Sequence, residues 1–253
     1  MKKIILILLV LLSGNLMFSY ELCTLINSPT AGILQKGEAS IIANLYKNNG
    51  LIIGTKIGLF PRFMFGVSYG GEQIVGNKNP VWHERVEFAA KLRIMDESVK
   101  LPAIAFGYDS QGHGNFYESA KRYDIKSKGF YLVASKNFQI LGNFGIHLGS
   151  NLSLENKDDD NDLDFFAGID KTLGDVIELL ADYDIALNDN EDYFDNTLGE
   201  NLEGLGKGYL NAALAVHFTD YLSLKISFYD LLKNRIDTEG CDRTLSLFYQ
   251  MTF

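Results

Sequence analysis

The chain has 253 residues, of which 47% are hydrophobic and 22% charged, so it carries enough apolar surface to fold and too much for a disordered segment. Glycine is frequent (24), proline scarce (4) and aromatics reach 12%, a mix that suits strands and turns better than helices. The net charge of −9 excludes nucleic acid as a partner, because binding it needs a basic footprint.

At the N-terminus, Lys2 and Lys3 precede an unbroken apolar run from Ile4 to Leu12, and the small residues Ser13, Gly14 and Ser19 follow. This is the pattern of a secretory signal peptide, expected over residues 1–19. The run is too short for a spanning helix, which takes about 20 apolar residues. Residues 20–36 are expected to form a periplasmic N-terminal segment. Cys23 follows Tyr20-Glu21-Leu22 rather than the small residues that precede a lipid-modified cysteine. No bond from Cys23 to Cys241 is expected, since the two are placed at opposite ends of the fold.

From residue 37 to 253 the pattern is alternation. Strands are expected at 38–47, 51–60 and 62–71. Next comes a stretch in which Trp82, Val86, Phe88, Ala90, Leu92 and Ile94 alternate with His83, Arg85, Glu87, Lys91 and Arg93. Further strands are expected at 101–109, 127–137, 144–152, 162–171, 177–185, 210–218 and 222–228. The last runs from Arg243 to Phe253, with Leu245, Leu247, Tyr249 and Met251 on one face. That makes about twelve, and an even number fits a bacterial membrane barrel with both ends in the periplasm. Such a strand needs about 9–11 residues, apolar at every second position. The fold class expected is therefore all-β, an antiparallel transmembrane barrel in the outer membrane.

The connections supply a second test. Links after even-numbered strands are short: Pro61, Asp96–Lys100, Asn137–Ile140, Thr172–Gly174 and Thr219–Tyr221. Links after odd-numbered strands are mostly long: 72–81, 110–126, 186–207 and 231–241, with an acidic 155–161 and one tight turn at Asn48-Asn49-Gly50. A soluble sandwich or lipocalin-like barrel, the competing architecture, has no reason to alternate in this way. The tyrosines near strand ends (Tyr46, Tyr69, Tyr108, Tyr131, Tyr183, Tyr209, Tyr221, Tyr229) fit either interfacial girdles or ordinary sheet aromatics.

One stretch carries more than general barrel character. Lys91-Leu92-Arg93-Ile94-Met95-Asp96-Glu97-Ser98 leads to Leu101-Pro102-Ala103-Ile104-Ala105-Phe106-Gly107. Then come Asp109, Gly112, Gly114 and the run Tyr131-Leu132-Val133-Ala134-Ser135-Lys136. This resembles the YjbH-type exopolysaccharide-associated outer-membrane proteins. Members of that family are commonly much longer, and His113 stands where they usually have a threonine-like residue. The resemblance implies an outer-membrane location and a link to surface polysaccharide.

The residues expected to face the lumen are Lys56, Arg85, Glu87, Lys91 and Arg93 on early strands and Glu178, Asp182 and Asp184 on a later one, a basic wall opposite an acidic wall. Asp109 and His113 are the outer-loop candidates. Asp158, Asp160 and Asp162 offer oxygens to a cation such as Ca²⁺, but without the shaping glycine of a calcium loop they read as a solvated run. No cofactor is expected. The histidines His83, His113, His147 and His217 have no catalytic partner readable from sequence, so no enzyme is expected. The expected partners are outer-membrane lipid, polysaccharide, and the barrel-assembly machinery through the terminal Phe253. The function expected is a passive channel or assembly element in polysaccharide production or export. The alternatives are a structural or adhesive barrel acting through its outer loops, and an envelope lipid-modifying enzyme.

Overall fold

Most outward-facing residues of these strands are apolar, and hydrocarbon offers no partner for a free backbone amide. A sheet with that pattern has one stable end state, which is to close on itself. In the computed structural model, which describes residues 21–174, 176–236 and 240–253, it does so. The expected signal segment lies outside the described residues.

Twelve antiparallel strands form the wall: Glu38–Tyr46 (β1), Gly50–Phe60 (β2), Phe63–Glu72 (β3), Glu87–Met95 (β4), Ala103–Asp109 (β5), Gly129–Gln139 (β6), Asn143–Leu152 (β7), Asp164–Leu173 (β8), Ile177–Asp184 (β9), Tyr209–His217 (β10), Leu222–Tyr229 (β11) and Asp242–Thr252 (β12). Each pairs with its neighbours in sequence, and β1 pairs with β12 to shut the ring, from Glu38 opposite Thr252 to Leu45 opposite Leu245. The chain is a membrane-spanning barrel of the outer-membrane type, and its localisation is the outer membrane.

The two faces separate cleanly. Phe88, Leu92, Phe106, Leu132, Leu148, Ile169, Leu179 and Leu247 are exposed on the outside, while Glu87, Lys91, Ser135, His147, Asp170, Asp182, Asn211 and Ser246 are buried inside. This inverts a soluble protein: the solvent for the apolar face is lipid. The tyrosines divide. Tyr69 and Tyr221 are exposed, with Tyr69 stacked on Trp82 at 5.7 Å, whereas Tyr46, Tyr131, Tyr209 and Tyr229 are buried. The latter four are not a girdle.

Two expectations are corrected. The stretch 82–94 is not one strand: Val81–Trp82 bridges to β3, the chain breaks at 83–86, and β4 begins at Glu87. There His83 donates its N–H to Gly70 O at 2.9 Å, which takes it out of the β4 ladder. The second correction concerns residues 21–36. They are not outside the barrel but inside it.

Candidate functional site: a plugged lumen

Residues 21–36 form a hairpin inserted from the short-turn end. Glu21 pairs with Arg93 there, and Gly37 N–H reaches Gly58 O at 3.1 Å as the chain leaves for β1. At the tip Leu25 N–H bonds Ser28 O at 2.9 Å, and Thr24 bridges to Pro29. Asn27-Ser28-Pro29 supplies the turn chemistry for this reversal. Gly32 lets the two arms pass, because a Cβ there would collide with Leu22 O.

A buried hairpin with no sheet to join must still satisfy its backbone groups. The wall does this with charges. Lys91 Nζ donates to Cys23 O (2.7 Å), Thr30 O (2.9 Å) and Gly32 O (3.0 Å), and Arg93 donates to Ala31 O at 2.8 and 3.0 Å. From the other side, Asp182 Oδ2 accepts the N–H groups of Ile26 (3.1 Å), Asn27 (2.9 Å) and Ser28 (2.9 Å). Lys225 donates to Leu25 O at 2.7 Å and the Tyr229 hydroxyl to Ile26 O at 3.3 Å. The basic wall thus meets carbonyls and the acidic wall meets amides. The transverse charge pattern solvates a peptide.

The outer end is also covered. The link between β5 and β6 folds inward as a hairpin, His113–Tyr117 with Arg122–Ile125. Arg122 is fully buried and bonds Asp158 (3.0 Å) and Asp189 (2.7 Å), and Lys126 joins Asp158 at 2.7 Å. Burial opposes the Arg122 charge, but the carboxylates outweigh it and hold its pKa above the ordinary value. The Tyr123 hydroxyl donates to Glu87 at 2.8 Å; burial and that carboxylate push the phenol well up. His113 stacks on Tyr229 with ring centres 3.5 Å apart, and Asp242 lies 3.7 Å from its Nε2. Burial pushes the His113 pKa below its ordinary 6.5, against the pull of Asp242.

Space remains beside the plug. A vestibule of about 980 Å³ opens at the short-turn end, lined by Asn137, Gln139, Asn143, Thr172, Glu178 and His217 among others. An inner cavity of about 210 Å³ lies farther in, with Asn27 of the hairpin and His113 of the outer cover among its lining residues. Leu22, Glu178 and His217 line both, so the two spaces adjoin at that point. His217 Nε2 lies 3.3 Å from Glu178 there.

One polar row on the vestibule wall has the composition of a hydrolase triad. Ser135 Oγ lies 2.7 Å from His147 Nδ1, and His147 Nε2 lies 2.8 Å from Asp170 Oδ1. The three residues sit on neighbouring strands β6, β7 and β8. Gly145 leaves room for the Asp170 carboxylate, since a Cβ there would strike it. Ser135 Oγ, however, accepts the N–H of Ala31 at 2.8 Å, and all three side chains are buried. Through Ser135 the row holds the hairpin at Ala31.

The structure thus distributes the sequence candidates. Lys91, Arg93 and Asp182 come together on the hairpin, and Lys56 reaches it at Thr24. Glu178 stands where the vestibule meets the inner cavity, Asp109 lines that cavity, and Asp184 pairs with Lys128. Glu87 binds the outer cover. Arg85 lies in the break before β4, with a 40% exposed side chain, bonded to the interior Glu87 and set over the Phe116 ring of the outer cover at 4.4 Å. Asp158 is taken by Arg122 and Lys126, and no group of three or more potential metal ligands occurs among the described residues. Lys225 and Arg122 are not among the sequence candidates, and Tyr229 and Ser135 stand there only as a strand-end tyrosine and as part of the YjbH-like run. The alternation assigns Lys225 to the polar face of β11, but only the hairpin gives that position a role.

This geometry defines a porin-like outer-membrane barrel with a folded-in plug. Among solved structures, the chain is similar to the KdgM porin, with TM-score 0.51 and 8% identity over 84% of this chain and 98% of that one. The NanC porin matches with TM-score 0.45 and 8% identity over 85% and 99%. The outer-membrane protein Omp33 of Acinetobacter baumannii matches with TM-score 0.45 and 9% identity over 85% and 97%. No family model and no curated protein matches the chain.

Proposed function

We propose that the chain is a passive, narrow outer-membrane channel for small polar solutes, acting in the production or export of surface polysaccharide. The observation that carries this reading is the adjoining pair of cavities beside the hairpin, meeting at Leu22, Glu178 and His217. The space left is far narrower than the open lumen of a 16–18-stranded porin. A polymer chain would have to displace the hairpin, so single sugars and short fragments are the solutes that fit. The polysaccharide link rests on the YjbH-like stretch from Lys91 to Lys136. Phe253 at the end of β12 suits recognition by the barrel-assembly machinery, and lipid surrounds the apolar band.

Planar-bilayer recording tests this directly. A small, steady conductance is expected, with liposome swelling in monosaccharides and none in longer oligosaccharides. A silent barrel would refute the channel. A deletion strain with unchanged surface polysaccharide would refute the cellular role. A second reading, a surface barrel binding partners through its outer loops, is favoured by the exposed Phe194, Leu198 and Leu205 in the 186–207 loop. It predicts silence in the bilayer and capture of a partner by that loop.

A further inference from the structure

We infer that the inner cavity is a binding site for one neutral, hydroxyl-rich sugar unit, held between the hairpin and the outer cover. This inference names the solute of the proposed channel and rests on that reading. About 210 Å³ is many times the space one water needs, and it suits a single sugar ring. The lining residues span both ends: Asn27 belongs to the hairpin tip, and His113 and Gly114 to the outer cover.

Three polar atoms in this lining have no hydrogen-bond partner among the described residues: Asn27 Nδ2, Thr244 Oγ1, and His113 Nε2, which has Asp242 only at 3.7 Å. Asn27 Nδ2 and Thr244 Oγ1 both face a polar guest, and a buried polar group left unpaired favours a ligand that can pair with it. The first donates and the second can both donate and accept. Lys56 is nearly free as well, with one long contact to Thr24 Oγ1 at 3.5 Å. Ser40 and Ser246 add hydroxyls, and Tyr46, Tyr229 and Phe248 supply aromatic surface. Hydroxyl and amide donors beside aromatic rings are what a pyranose needs, since it is polar around its rim and carries C–H groups on its faces.

Charge selects within that class. The lining carries Lys56 and Lys225 against Asp109 and Glu178, two cations and two anions. Such a site offers no net field to reward a charged sugar, while a charged sugar would lose its hydration on entry. The neutral sugar is therefore preferred over its acid or amine counterpart.

Saturation-transfer NMR on the full barrel in detergent, with glucose, glucuronate and glucosamine offered separately, tests the assignment. Glucose is expected to receive saturation, and the two charged sugars several-fold less. Ser246→Leu fills the cavity and is expected to abolish the glucose signal; Thr244→Val keeps the volume and is expected to weaken it several-fold. Heat-modifiable migration in electrophoresis verifies that each variant is folded. Absence of a glucose signal, an equal signal in folded Ser246→Leu, or equal signals from the charged sugars would overturn the inference. Conductance separates the two claims. Current without a glucose signal removes the site and leaves the channel, whereas a glucose signal without current does the reverse.

Discussion

Replacing Lys91 with methionine tests the central structural claim, that wall charges hold the N-terminal hairpin in the lumen. Lys91 is 2% exposed and donates three hydrogen bonds to hairpin carbonyls, at 2.7, 2.9 and 3.0 Å. Methionine keeps the length of the side chain and removes every donor. Hydrogen bonds to a charged group contribute about 1.5–3 kcal/mol each, but these three share one ammonium. That ammonium was also desolvated, and water entering from the vestibule recovers part of the loss. A net cost of about 3 kcal/mol to hairpin insertion is a reasonable sum, and at about 1.4 kcal/mol per tenfold that is on the order of 100-fold in the withdrawn population. Cys23 reports it, because it lines the inner cavity when the hairpin is in place. In a Cys241→Ser background, labelling of Cys23 by a bulky, water-soluble maleimide should accelerate by that factor when opening is fast relative to labelling. Lys100→Met, an exposed change in a short turn, should leave the rate as it was. An unaccelerated rate in Lys91→Met, with the barrel folded, would refute the anchoring argument.

Four further outcomes are expected. Arg122→Ala leaves Asp158 and Asp189 buried without their cation, a loss of about 3–5 kcal/mol for a buried pair, so protease should cut the 110–128 link far faster. Gly145→Ala puts a methyl into the Asp170 carboxylate and should cost about 1–3 kcal/mol, read as a lower urea midpoint for loss of the compact electrophoretic form. Leu148→Arg places a charge on the lipid face and should cost about 2–4 kcal/mol if it lies near the bilayer midplane, read by the same midpoint. Burial holds His113 neutral below its ordinary 6.5, so its contribution to closure is whole above that pH and drains as pH falls toward the folded value. Conductance should accordingly rise on acidification through that range, and His113→Phe should flatten the response.

Much of this molecule is written in residue order. The strict alternation in β4, with Phe88, Leu92 and Ile94 against Glu87, Lys91 and Arg93, assigns every side chain to lipid or lumen, because a strand has a period of two and one face must meet hydrocarbon. Link lengths fix which end is which. These are local or near-neighbour properties, and local rules suffice to read them. The strand break at 83–86 escaped because His83 bonds backward to Gly70, a pairing no spacing reveals.

The contents of the lumen are another matter. Glu21 to Lys36 carries Leu22, Leu25, Ile26, Ile33 and Leu34, apolar enough to bury, but lacks the alternation that assigns a segment its place in the wall. Its hydrogen bonds run from its backbone to Lys91, Arg93, Asp182 and Lys225, residues 59 or more positions away for the closest of these contacts. Backbone amides and carbonyls are the same in every sequence, so recognition through them leaves no mark on the chain being recognised. Residue order alone specifies a closed barrel with a charged interior. That those charges bind a folded-in hairpin emerges only in three dimensions, because it depends on which distant groups meet once the ring has closed.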